Sequence, residues 1–264
     1  MKLDSSLVIN FIKQNKEKNL QHWIFKSIVT DEFCYEDVLY EEIDNIENTY
    51  NIFMEELVNF KPLNKKYWDL VFDDFAWSDI SNTLYLVVGL PNPYDALVLE
   101  DNAGKDCIIF DLNRINQYSQ DSNETRKLIN NFLTHEIAHI YIRTKLKMVN
   151  KDNYLELLKF IFIDEGLSHL LSYCPNIDEL DFNTEEMIKR KHLAYSRLKY
   201  YLEAPDKIEW QTILDSFSGE YWSKFAAIAG MFAIKEFYFD NNNCYGIFDN
   251  SVNKCLLETV LKMK

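Results

Sequence analysis

Two of the chain's five histidines fall in the stretch "FLTHEIAHIYIR", residues 132 to 143, with a glutamate beside the first. In a helix, residues i and i+4 lie one above the other on the same face. His135 and His139 can therefore aim two imidazoles at one tetrahedral cation. Glu136 is turned about 100° from His135, which puts its carboxylate beside that cation and within reach of a water. Two nitrogen donors and an adjacent base are the parts of a hydrolytic zinc centre, which needs a third protein ligand and an open position. Glu165, in "IFIDEGLSHLLS", is 26 residues after His139 and interrupts an otherwise apolar run. A carboxylate there wants a partner, and Gly166 weakens a helix unless something uses it. A cation would satisfy Glu165, and Gly166 would let two helices approach closely. His169, one turn after Glu165, is a rival ligand or a positioning group. Asp164 points about 100° from Glu165 and reads as second to it or as surface.

Helices must carry these residues. In "DSNETRKLINNFLTHEIAHIYIRTKL" the start signals are Asp121, Ser122 and Glu124, and Leu128, Ile129, Phe132, Leu133, Ile137, Ile140 and Tyr141 recur at helical spacing. A second helix is expected from near Asp152 to before Pro175, and further ones over roughly 184–203, 206–217, 219–240 and 251–263. "AAIAG" in the third of these later stretches has small residues that permit close packing. Residues 1 to about 75 read as helical, with Trp23, Phe25, Phe33, Tyr35 and Tyr40 as core aromatics and His22 as structural. "TLYLVVGLP" and "CIIFDLNRI" (107–115) read as strands, with a short apolar run between them in "NPYDALVLEDNAGK". Segment 83–115 is thus expected to form a small antiparallel sheet, since no helix fits between its strands. The fold class is α+β and mostly α-helical. It is one domain over 1–264, whose lobes would be 1–120 and 121–264.

The chain has 264 residues, 47% hydrophobic and 15% aromatic, enough for a real core. Six glycines and five prolines favour long helices over a sandwich or barrel. The formal net charge of −14 repels phosphate backbones and anionic lipid, so neither nucleic acid nor membrane is an expected partner. Five cysteines without a CxxC pair argue for a reduced, cytoplasmic setting. The N-terminal apolar run, Leu7 to Ile9, is too short for a signal peptide.

"HEIAH" followed by "IFIDEGLSHLL" resembles the gluzincin metallopeptidases, which pair an HExxH helix with a downstream glutamate in an EGxA-like helix. The resemblance is good over about 83–174 and poor at the flanks. It implies that His135, His139 and Glu165 hold zinc, that Glu136 is the general base, and that His169 is a supporting group or a substitute ligand. Ser168 stands where the family often has alanine, a change expected to be harmless. The family's oxyanion donor from a late helix has Tyr221 as its first candidate here, with His192 and Tyr238 as rivals. The family pattern further implies that strand 107–115 lines the cleft and pairs with extended substrate. The function so implied is a zinc-dependent peptidase in which Glu136 activates a water. The alternative is a zinc-binding regulatory or interaction protein without efficient hydrolysis.

Overall fold

A computed structural model describes residues 1–29, 34–72, 80–92, 94–146, 149–240 and 246–262. Phe33, named above, and Cys244, one of the five cysteines, lie outside the described residues. The helices are α1 (Ser6–Ile12), α2 (Trp23–Ile28), α3 (Ile43–Asn59), α4 (Lys65–Phe72), α5 (Leu112–Tyr118), α6 (Ser122–Lys145), α7 (Tyr154–Ser172), α8 (Glu185–Glu203), α9 (Trp210–Phe217), α10 (Phe225–Ile234) and α11 (Asn250–Lys262). The strands are β1 (Lys2–Asp4), β2 (Thr83–Val87), β3 (Ala96–Glu100) and β4 (Asp106–Asp111). The fold is α+β and mostly helical. The chain divides into two compact units, 1–61 with 76–136 and 62–75 with 137–264.

The first unit holds the sheet, in the order β1-β2-β4-β3. The β3–β4 pair is antiparallel, as expected of neighbouring strands with a short turn. The sheet as a whole is mixed, because β1 and β2 run parallel and so do β2 and β4. β1 lies in a region whose sequence reads as helical. Three residues carry no periodicity, and only pairing with Thr83–Tyr85 makes them a strand. Residues 112–115 also differ from the strand reading. Asp111 ends β4 and caps α5, its Oδ1 accepting from Asn113 N at 2.8 Å and Arg114 N at 3.3 Å. Its Oδ2 accepts from Gly89 N at 2.8 Å and from Leu90 N. Gly89 has φ +96°, and a Cβ there would lie 2.6 Å from the Tyr35 ring, so glycine is required at this turn. Leu7, Ile24, Phe25, Val87, Leu90 and Ile109 form one apolar cluster. Phe53 of α3 packs on Phe110 with ring centroids 5.1 Å apart.

β4 is paired on both sides, by β2 and β3. It is not a free edge, and the expected pairing of a peptide with 107–115 is not possible there. A strand whose backbone groups are already taken on both flanks cannot accept another strand.

The second unit is built on α7 and α10. All ten residues of α10 are buried, and α7 is buried from Leu158 almost without break to Ser172. A helix apolar on all sides belongs in a core, not at a surface. The two cross glycine on glycine. A Cβ on Gly230 would lie 1.8 Å from the Phe162 carbonyl oxygen, and one on Gly166 would lie 2.6 Å from Gly230 Cα. The close packing expected of "AAIAG" is therefore present, and the close approach of Gly166 is to α10 and not to the helix of His135 and His139. Asn64 (φ 55°) closes the far end of α7: its Nδ2 donates to Leu171 O and Cys174 O at 2.9 Å, and its Oδ1 accepts from Ile177 N at 2.7 Å.

Candidate metal centre

The side chains that matter come from α6 and α7. Asp121 caps α6, its Oδ1 accepting from Asn123 N and Glu124 N at 2.9 and 3.0 Å. Asn153 caps α7 by accepting from Glu156 N at 3.2 Å. α6 is one unbroken helix. Its residues up to Glu136 belong to the first unit and those from Ile137 on to the second. His135 is half-buried, Glu136 buried and His139 buried, all within this helix.

In the second unit His139 meets α7 through both ring nitrogens. Nδ1 is 2.9 Å from Asp164 Oδ1 and 3.2 Å from Ser168 Oγ. A carboxylate only accepts, so Nδ1 carries the proton and Nε2 presents its lone pair. That lone pair faces Glu165, with Nε2 3.6 Å from Oε1. The other oxygen of Glu165 faces a second imidazole, with Oε2 3.7 Å from His169 Nε2. Ligand atoms of His139, Asp164 and Glu165 all lie within 4.8 Å of one another. Separations of 3.6 and 3.7 Å exceed a hydrogen bond. They approach the ~3.3 Å that N and O donors keep when each is about 2.0–2.1 Å from one tetrahedral ion. The donor set is imidazole and carboxylate, which suits zinc. The residues present therefore fit a zinc ion.

Asp164 and Ser168 hold the imidazole more closely than their sequence positions announce. Asp164 is 3% exposed and Ser168 wholly buried. Ser168 is more than a small filler, since its hydroxyl touches the imidazole. The signal lay in the spacing. Asp164 and Ser168 form one i,i+4 stripe of α7, and Glu165 and His169 form the adjacent stripe. The first stripe grips one nitrogen of His139 and the second faces the other.

Tyr221 lies on a short turn, Tyr221–Ser223, and not in the helix expected from 219; α10 starts at Phe225. Its ring meets His169 edge-on, with centroids 4.9 Å apart. Its hydroxyl reaches Met231 Sδ at 3.7 Å. Burial holds the phenol far above its ordinary pKa, so the group keeps its proton and can donate. Tyr238 is buried and donates to Gly246 O at 3.4 Å. His192 is exposed on α8. Among the candidates for the donor role, the Tyr221 ring touches His169 of this cluster. Among the described residues no helix is long and apolar enough to cross a membrane. Comparison with protein-family models, with characterised proteins and with solved structures gives no match to this chain.

Proposed function

We propose that the protein is a zinc-dependent peptidase, in which His135, His139 and Glu165 hold the metal and Glu136 is the general base. The observation that carries this reading is the seating of Glu165, with one oxygen toward His139 Nε2 and the other toward His169 Nε2 at 3.6 and 3.7 Å. His135 joins through helix geometry, being one turn before His139 in α6. Zinc held there supplies Lewis-acid polarisation of a carbonyl and makes a water more acidic. Asp164 holds His139 in the tautomer that offers Nε2, and raises its basicity. His169 steadies the second oxygen of Glu165. Glu136 takes the proton of the attacking water on its carboxylate and delivers it to the leaving amine nitrogen. Tyr221 donates to the carbonyl oxygen as negative charge grows there, giving up Met231 Sδ, a weak acceptor that costs little to lose.

The test is a pair of measurements on wild type and Glu136→Gln. Elemental analysis is expected to find about one zinc per chain in both, because Glu136 is the base and not a ligand. Cleavage of a mixed peptide library, read by mass spectrometry, should fall about 10²–10⁴-fold in Glu136→Gln, since an amide cannot accept the proton. Wild type free of transition metal would refute the zinc centre. Zinc-loaded wild type that cuts nothing would refute the peptidase and leave a metal-binding protein.

A further inference from the structure

The second unit contains a cavity of about 920 Å³, bounded by the end of α6, α7, the end of α8, and α11. That is within the roughly 300–1,000 Å³ usual for small-molecule sites. None of the metal-centre residues lines it. Its wall is mostly apolar, with Leu146, Leu155, Ile163 and Leu257 among the side chains, and Lys145, Lys159 and Lys254 are among its lining residues. Lys159 is committed to Glu156 at 2.7 Å, and Glu258 has Lys262 at 3.5 Å. Lys145 and Lys254 also line the cavity, and neither side chain has an ion-pair or hydrogen-bond partner among the described residues. In a chain of net charge −14, two uncommitted cations at the border of one apolar cavity select for ligand chemistry. A peptide or sugar would leave its polar groups unpaired against the leucine wall. A neutral hydrocarbon would make no use of the lysines.

We infer that this cavity binds a single-chain amphiphilic anion, a fatty-acid-like carboxylate, with its hydrocarbon among the leucines and its head group at Lys145 and Lys254. The inference is independent of the peptidase reading. The full-length protein is titrated calorimetrically with dodecanoate, dodecanol and dodecyltrimethylammonium, each below its micelle concentration. Dodecanoate is expected to bind saturably, at one per chain, and more tightly than the other two. The double variant Lys145→Gln/Lys254→Gln changes only exposed side chains and should keep the wild-type circular dichroism. It should weaken dodecanoate at least about tenfold, as loss of charge-assisted hydrogen bonds does, and leave dodecanol unchanged. Dodecanol binding as tightly as dodecanoate would overturn the anionic assignment. Undiminished dodecanoate binding in the double variant would overturn the placement of the head group. Absence of saturable binding by all three would overturn the site.

Discussion

One imidazole, that of His139, shows what sequence can and cannot say about a side chain. That it shares a helix with His135 and Glu136 was legible, because spacing alone decides which residues of one helix lie on a common face. Glu165 was legible because a carboxylate in an apolar run needs a partner. The hold of Asp164 and Ser168 on Nδ1 was not, since periodicity says which way a residue points and not which helix it meets. These assignments rank three variants. Glu165→Ala should weaken zinc as much as loss of a histidine ligand does. Asp164→Asn and His169→Ala should each cost about 10–100-fold, the usual effect of a group one step removed from the metal. Competition against a chromophoric chelator measures all three. If His169→Ala costs more than Glu165→Ala, His169 is the ligand and Glu165 the support.

Among the elements, the long helices matched their sequence signals closely, from the cap at Asp121 to the end of α7 before Pro175. The middle segment was half legible. β2 and β4 are the two stretches that read as strands and β3 falls in the short apolar run between them, but parallel pairing with the distant β1 depends on a partner some 80 residues away, which no local pattern announces. α5 was missed for a different reason. Leu112 and Ile115 continue the apolar residues of the strand before them, and the Asp111 cap decides the change. The α7–α10 crossing yields a prediction at this scale. Gly230→Ala places a methyl where the Phe162 carbonyl oxygen already lies, and backbone cannot move aside as a side chain can. Overpacking of this kind costs typically about 1–3 kcal/mol or more. Urea denaturation should show it as a lower midpoint with little change in slope. An unshifted midpoint would mean the helices separate freely.

For the whole molecule, pH dependence of stability is readable from Asp111. It is fully buried, and desolvation lifts its carboxyl to about 7 even though four backbone N–H groups favour the charged form. The folded protein therefore holds this proton more tightly than the unfolded chain does. Its contribution to stability is complete below the ordinary carboxyl pKa of about 3.9, and is lost as pH rises toward 7. Melting temperatures from pH 4 to 8 should show this decline in wild type and a shallower one in Asp111→Asn, which cannot ionise. Parallel curves would exclude Asp111 as the source. The burial of α10 has one more consequence, which concerns the chain before it folds. "FAAIAGMFAI" is ten consecutive residues without a charge, hidden only when α7, α8 and α9 close around it. In an unfolded or newly made chain the same run is a sticky segment, and Lys224 and Lys235 bracket it on either side. Flanking charges of this kind act as gatekeepers against self-association. The two lysines thus stand where a charge opposes self-association during the interval in which the most hydrophobic helix has nothing to pack against.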